Sequence, residues 1–286
     1  MKRMELIGAR RIPLIGRRDL LHEAERRIGR GGIHLIYVEG EGGIGKTALL
    51  ETILERCRRG SIADLMAGCS VAHEIIDLDH AGVYTAEGLI RRLIEVLGKW
   101  SFEKTQDVLD LLDRARVAGD MDAASEHTSV LQTVFLDEFV SLTEEGVVLA
   151  LDTLEVLQHE DDPFRAELEE EVPVWSASEW LFRAFFPALT GNVVILLAGR
   201  PGDLLERLEA VGSANPHLLI RHIQLEALDA EETREYLRAA AQAEGRHGDG
   251  DAATRLWTFA EQHGDLAHHL TGGRPILLAR GVVAPG

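Results

Sequence analysis

Gly40-Glu41-Gly42-Gly43-Ile44-Gly45-Lys46-Thr47 sets glycines, one ammonium and one hydroxyl at the spacing G-x-x-x-x-G-K-[ST]. Glycines in close succession let the backbone turn several N–H groups inward toward one anion. The lysine adds a mobile cation that reaches β- and γ-phosphates, and the threonine hydroxyl is a ligand for Mg²⁺. Gly40, Gly42, Gly43, Ile44, Gly45, Lys46, Thr47 and Ala48 are therefore the candidate phosphate-holding set. Two elements must position it. The apolar run 33–38 before it reads as a strand, and 48–57 after it reads as a helix. That helix would aim the positive end of its dipole at the phosphates.

Two more segments carry residues of the same chemistry. Val147-Val148-Leu149-Ala150-Leu151-Asp152 is a buried-strand run ending in a carboxylate. An Asp at a strand's end beside a phosphate loop holds Mg²⁺, so Asp152 joins Thr47 as a metal ligand. Glu155 follows one turn later and is the candidate for orienting an attacking water, although a first-turn acid stabilised by a helix dipole would look the same. Val193-Val194-Ile195-Leu196-Leu197-Ala198 runs into Gly199-Arg200-Pro201. A cation at the tip of a core strand is costly unless it meets an anion. Arg200 is accordingly read as a sensor of the γ-phosphate through charge-assisted hydrogen bonds.

The surrounding pattern supplies a scaffold for these segments. Apolar runs at 33–38, 74–78, 147–151, 193–198 and 218–225 do not alternate, as expected of strands buried on both faces. Helical periodicity lies between them at 86–100, 106–117, 126–142 and 175–189. Alternating strands and helices predict a three-layer α/β domain whose strands' carboxyl ends carry the ligand site. Beyond Leu225 the pattern turns all-helical, with Asp229 as the N-cap of a helix over 229–244 and further helices over 251–263 and 275–283. The expected division is residues 1–225 for the α/β domain and 226–286 for a small helical lid with a loose tail.

Composition narrows the function classes. The chain has 286 residues and a formal net charge of −18, which argues against a surface that coats nucleic acid. No apolar run reaches membrane length, and the N-terminus lacks a secretory apolar core. Cys57 and Cys69 are the only cysteines, so no disulfide framework is indicated and a cytoplasmic location is expected. The acidic run from Glu160 to Glu171 is read as a solvated loop and helix start. His263, His268 and His269 are read as polar helix surface rather than metal ligands. Trp100, Trp175, Trp180 and Trp257 are expected in the core or at contacts.

Taken together these segments resemble the STAND class of P-loop NTPases, which includes the NB-ARC and AP-ATPase switches. Leu14-Ile15-Gly16-Arg17-Arg18-Asp19-Leu20 is similar to that class's N-terminal h-h-G-R-x-[ED]-L motif, which implies that Arg17 flanks adenine. Gly40–Thr47 is similar to the class's G-x-G-G-x-G-K-T form. Asp152-Thr153-Leu154-Glu155 looks like a bacterial variant of its Walker B segment, and Ala198-Gly199-Arg200-Pro201 like its sensor segment. Thr271-Gly272-Gly273-Arg274-Pro275 resembles its G-x-P motif, implying that Pro275 packs near adenine from the lid. The resemblance implies an ASCE sheet of strand order 5-1-4-3-2, with the sensor strand between the P-loop and Walker B strands.

The resemblance further implies an ATP-binding, slowly hydrolysing signalling switch that uses ATP/ADP and Mg²⁺. Many members carry consecutive acids at the end of Walker B, whereas Thr153 follows Asp152 here. Members also continue into winged-helix and repeat domains. The expected partners are thus a nucleotide and either further copies in the ATP state or proteins that supply those domains, with neither membrane nor nucleic acid. The rival readings are a nucleotide-holding scaffold with negligible turnover and an AAA+ initiator-type ATPase associated with DNA.

Overall fold

The computed structural model describes residues 14–60, 68–158, 175–246 and 250–275. The chain divides into two compact units. One comprises Glu23–Glu39 and Leu50–Ile223; the other comprises Met1–His22, Gly40–Leu49 and Gln224–Gly286.

The larger unit is built on a parallel sheet. Strands β1 (Ile33–Glu39), β4 (Val147–Asp152) and β5 (Val193–Gly199) are almost wholly buried, which explains why their sequences are apolar without alternation. β2 (Ser70–Val71) and β3 (Ile76–Asp77) both pair with β4, and β6 (Leu218–Gln224) closes the opposite edge beside β1. The order is β2-β4-β5-β1-β6 with β3 also on β4. Counting β2 and β3 as one strand, it is the expected 5-1-4-3-2 arrangement. The register pairs Ile33 with Val193 and Val147 with Val193, so β1, β5 and β4 run level to their carboxyl ends.

α1 (Arg18–Ile28) precedes β1 and α2 (Lys46–Arg58) lies between β1 and β2; helices α3 (Ala86–Leu97), α4 (Glu103–Ala118) and α5 (Met121–Leu142) belong to this unit. So does a helix that starts at α6 (Ala177–Trp180) and passes through a π turn over Leu181–Phe185. α7 (Leu204–Ala214) follows β5. The core carries an aromatic cluster in which Phe135 stacks on Phe102 at 5.3 Å and Trp180 on Phe185 at 5.0 Å. Rings packed this way add to the area they bury.

Three departures from the sequence expectation have local causes. The strand expected over 74–78 is only Ile76–Asp77, with a second short strand at Ser70–Val71 ahead of it; between them the His73 N–H is drawn to Val96 O and Glu74 is exposed and ion-paired with Arg92. The helix expected over 175–189 begins two residues late, at a capping box between Ser176 and Glu179. It widens into its π turn just ahead of Pro187, which has no N–H for the carbonyl of Arg183 and whose ring crowds it. Of the four tryptophans only Trp180 is buried; Trp100 is 80% exposed.

The two cysteines sit near the start of β2 and on α2. Burial pushes both thiols up to about 12, and for Cys57 the neighbouring Cys69 and Glu25 add to the effect. Only thiolate attacks disulfide reagents. We therefore expect both thiols to react slowly with an aromatic disulfide reagent at pH 8 and at once in denaturant. The unfolded chain releases these protons from about pH 8.5, whereas the folded chain keeps them. The stability they contribute is intact below that value and is lost as pH rises toward the folded value.

In the smaller unit, α8 (Ala230–Arg246) and α9 (Gly250–Thr271) form an antiparallel pair around Leu228, Leu237, Ala260 and Ala267. Asp229 is the N-cap, as expected. Its carboxylate accepts from Glu232 N at 2.8 Å, while Glu232 returns the bond to Asp229 N at 2.9 Å. α9 does not stop at 263. A Cβ at Gly264 would lie 2.2 Å from Arg234 Cγ, so this glycine marks a close side-chain contact rather than an end. The helix stops at Gly272 and Gly273, both at positive φ. Residues 276–283 of the expected last helix and the acidic run 160–171 lie outside the described residues.

Candidate functional site

The phosphate loop leaves β1 after Glu39 and enters α2 at Lys46, which is the strand–loop–helix context its sequence requires. Gly43 and Gly45 adopt φ of 77° and 103°, conformations that side-chain-bearing residues rarely reach. Gly40 is needed for space: a Cβ there would sit 2.8 Å from Leu225 O. Ile44 is buried, while Thr47 and Ala48 are exposed at the head of the helix. Lys46 is 9% exposed, and its ammonium donates to Gly40 O at 2.7 Å and to Glu41 O at 3.1 Å. The lysine thus lies folded over its own loop.

Arg17 is also buried. Its guanidinium donates to Glu226 O and is drawn by the Glu232 and Glu226 carboxylates, although burial lowers its pKa. Gly16, at φ 68°, leaves room for Glu232, whose Oε1 would lie 2.0 Å from a Cβ. Arg17 therefore ties the N-terminal segment to the start of α8. Pro275 is half-buried, two residues after the Gly272-Gly273 stop. Beyond these, His263 packs against Phe259 with tilted rings 5.5 Å apart, and His268 meets Thr233 at 3.3 Å.

The strand ends of the larger unit hold the remaining candidates. Asp152 is 8% exposed, and its Oδ1 accepts from Thr153 N at 2.8 Å. Thr153 has φ 62°, the one positive φ among described non-glycine residues. A β-branched residue held there stores roughly 1–3 kcal/mol of strain. Its hydroxyl donates to Asp77 Oδ1 at 2.7 Å, and Asp77 stands beside Asp152 in the β3–β4 register. Glu155 and Arg200 are bound to each other: Arg200 Nε lies 2.9 Å from Glu155 Oε1, and Arg200 N donates to Glu155 Oε2 at 3.1 Å. Tyr37 Oη donates to Arg200 O at 3.1 Å, which fixes the main chain of Arg200 from β1.

Residues 13–173, more than half of the sequence, match the AAA ATPase domain family. The chain belongs to that family. Two solved structures are similar at greater distance. The Aeropyrum pernix ORC2 protein, solved as ADPNP-ADP complexes, is 15% identical with a TM-score of 0.45, over 99% of this chain and 72% of its own. Domain III of the Thermotoga maritima replication initiation protein DnaA is 17% identical with a TM-score of 0.40, over 98% of this chain and 95% of its own. Likeness that remote carries no functional argument. No curated protein matches.

As an AAA ATPase domain the chain is a nucleotide-binding P-loop protein, and its parallel α/β sheet agrees. The donors suit the ligand set. The loop turns on positive-φ glycines, an ammonium and a hydroxyl open α2, and a nearly buried carboxylate ends β4. No described helix is long and apolar enough to cross a membrane.

Several residues of this AAA ATPase domain escaped the sequence reading. Tyr37 passed for one more apolar strand position. Its phenol is pushed far above its usual range by burial, then by the Glu39 and Glu155 carboxylates. Its ring stacks on His222 at 5.6 Å, and His222 Nε2 lies 3.1 Å from Glu39 Oε2. Asp77 lay inside a run read only as a strand. Its one sequence signal was a carboxylate near a strand's carboxyl end, the same feature that singled out Asp152.

Proposed function

We propose that this AAA ATPase domain binds MgATP and hydrolyses it slowly, acting as a nucleotide-dependent switch of the STAND type. The observation that carries the reading is the strand order. β5, with Arg200 at its tip, lies between β1, which leads into the phosphate loop, and β4, which ends in Asp152. In this reading Lys46 and the amides of Gly40, Gly42, Gly43, Ile44, Gly45 and Ala48 take the phosphates, and Thr47 and Asp152 take Mg²⁺. Bound Mg²⁺ would neutralise charge on the phosphates. Arg17 and Pro275 belong to the adenine end, and the helical segment after Leu225 serves as the lid.

Arg200 and Glu155 form a pair whose guanidinium is 62% exposed, so parting them costs little. A γ-phosphate offers the guanidinium a stronger partner than one carboxylate. When Arg200 turns to it, Glu155 is released to hold a water. Loss of the γ-phosphate would return Arg200 to Glu155, and that difference in contacts is what a switch needs.

The test is to denature freshly purified protein, identify released nucleotide by chromatography, and follow phosphate release with added MgATP. Bound ADP with slow turnover is the expected result. Absence of both bound nucleotide and ATP affinity would overturn the reading.

The scaffold alternative draws on a specific observation, the engagement of Glu155 by Arg200. It expects phosphate release no faster than in Glu155→Gln. The DNA-associated alternative meets a net charge of −18, and salt-dependent DNA binding would revive it. Partners that supply further domains, or copies of this chain in the ATP state, fit the switch reading.

A further inference from the structure

The end of β4 contains an arrangement that the metal role of Asp152 does not by itself require. Thr153 is a β-branched residue in the left-handed region, with φ 62°. Two bonds flank that conformation. Its N–H donates to Asp152 Oδ1 at 2.8 Å, and its hydroxyl donates to Asp77 Oδ1 at 2.7 Å. Asp77 is itself held in place. The β3–β4 ladder sets it level with Asp152, Leu78 N donates to Asp152 O at 3.1 Å, and Asp79 N donates to Asp77 Oδ1 at 3.1 Å. Residues level with each other on parallel strands project to the same face of the sheet. The Asp77 carboxylate, the hydroxyl and backbone N–H of Thr153, and the Asp152 carboxylate therefore form one chain of hydrogen bonds at the carboxyl edge of the sheet.

We propose that Asp77 is a positioning residue for the metal carboxylate: by accepting the Thr153 hydroxyl it holds Thr153 in the left-handed turn, whose N–H fixes the Asp152 carboxylate. The proposal rests on the reading that Asp152 takes Mg²⁺. It assigns Asp77 the role of an acceptor, not of a ligand or a base. An uncharged oxygen at the same place would do the same work, which separates this role from the other two. The threonine after Asp152 then has a function of its own. Its hydroxyl is the link through which β3 reaches Asp152.

The experiment measures ATP affinity by calorimetry, once with Mg²⁺ and once in EDTA, with thermal midpoints recorded for each protein. The ratio of the two affinities reads the metal carboxylate and not the fold. Asp77→Ala and Thr153→Val should each reduce the Mg²⁺ enhancement about tenfold, as loss of a partner behind a metal ligand does, while affinity in EDTA stays unchanged. The double variant should be no worse than either single one, because both cut the same chain. Asp77→Asn and Thr153→Ser, which keep the acceptor and the hydroxyl, should remain close to the natural protein. Should Asp77→Ala fail to fold, Thr153→Val against Thr153→Ser carries the test alone.

Asp77→Asn as damaging as Asp77→Ala would overturn the proposal, because charge would then matter rather than acceptance. Unchanged enhancement in Thr153→Val would overturn it too. If the natural protein binds ATP equally well with and without Mg²⁺, the metal role of Asp152 falls and this inference falls with it. If it binds no ATP at all, the nucleotide reading itself is what fails.

Discussion

Lys46→Ala is expected to weaken ATP binding by roughly 30- to 150-fold, the equivalent of ~2–3 kcal/mol for hydrogen bonds between a cation and charged acceptors. The size follows from where the ammonium sits. Lys46 is 9% exposed and already anchored on Gly40 O and Glu41 O. Its position is therefore set by the loop, and little ordering entropy remains to oppose phosphate binding. Alanine also leaves both carbonyls without that donor, the buried Gly40 O among them, so part of the fold's stability should go with the affinity. Calorimetry with ATP and with ADP checks this, with the thermal midpoint as control. The deficit should be larger for ATP, whose γ-phosphate the lysine also reaches. Equal affinity for the natural and substituted proteins would remove the phosphate site from this loop.

The sheet was legible because its strands are buried on both faces. Val147–Asp152 and Val193–Gly199 read as continuous apolar runs, the first ending in Asp152 and the second running into Arg200. Asp229 was legible as a cap because a carboxylate three residues before a first-turn acid has a local mechanism. Pairings across the sheet were not legible. Glu155 and Arg200 are 45 residues apart and Asp77 and Thr153 are 76 apart. Their contact depends on the register of β3, β4 and β5, which no local pattern encodes. Local patterns also misread tertiary demands. Gly264 resembles a helix stop but makes room for Arg234, and the strand expected over 74–78 shrinks to Ile76–Asp77, with His73 ahead of it bonded to α3. A motif thus named Glu155 and Arg200 separately, and only the fold showed that each is the other's partner.

That partnership makes Arg200→Ala the second large effect. The natural protein should prefer ATP to ADP, and the variant should lose about 10- to 100-fold of that preference, the value of one or two charge-assisted bonds to phosphate. ADP affinity should not move. The argument turns on the low cost of releasing the arginine. Its guanidinium is 62% exposed, and an exposed ion pair is worth ~0–1 kcal/mol, so Glu155 does not outbid a phosphate. Tyr37 keeps the main chain of Arg200 in place through its carbonyl, so only the side chain needs to turn. Glu155→Gln separates the two roles. Glutamine still offers an oxygen but no charge, so ATP preference should hold or rise while phosphate release falls about 100-fold, as loss of a general base does. An unchanged ATP-to-ADP ratio in Arg200→Ala would show that the arginine serves Glu155 alone. Unchanged turnover in Glu155→Gln would make Glu155 only the resting place of the arginine. Because one pair holds both groups, in the proposed switch a single exchange of partners would both report the γ-phosphate and free the carboxylate to act on it, which would couple sensing to hydrolysis at the strand tips.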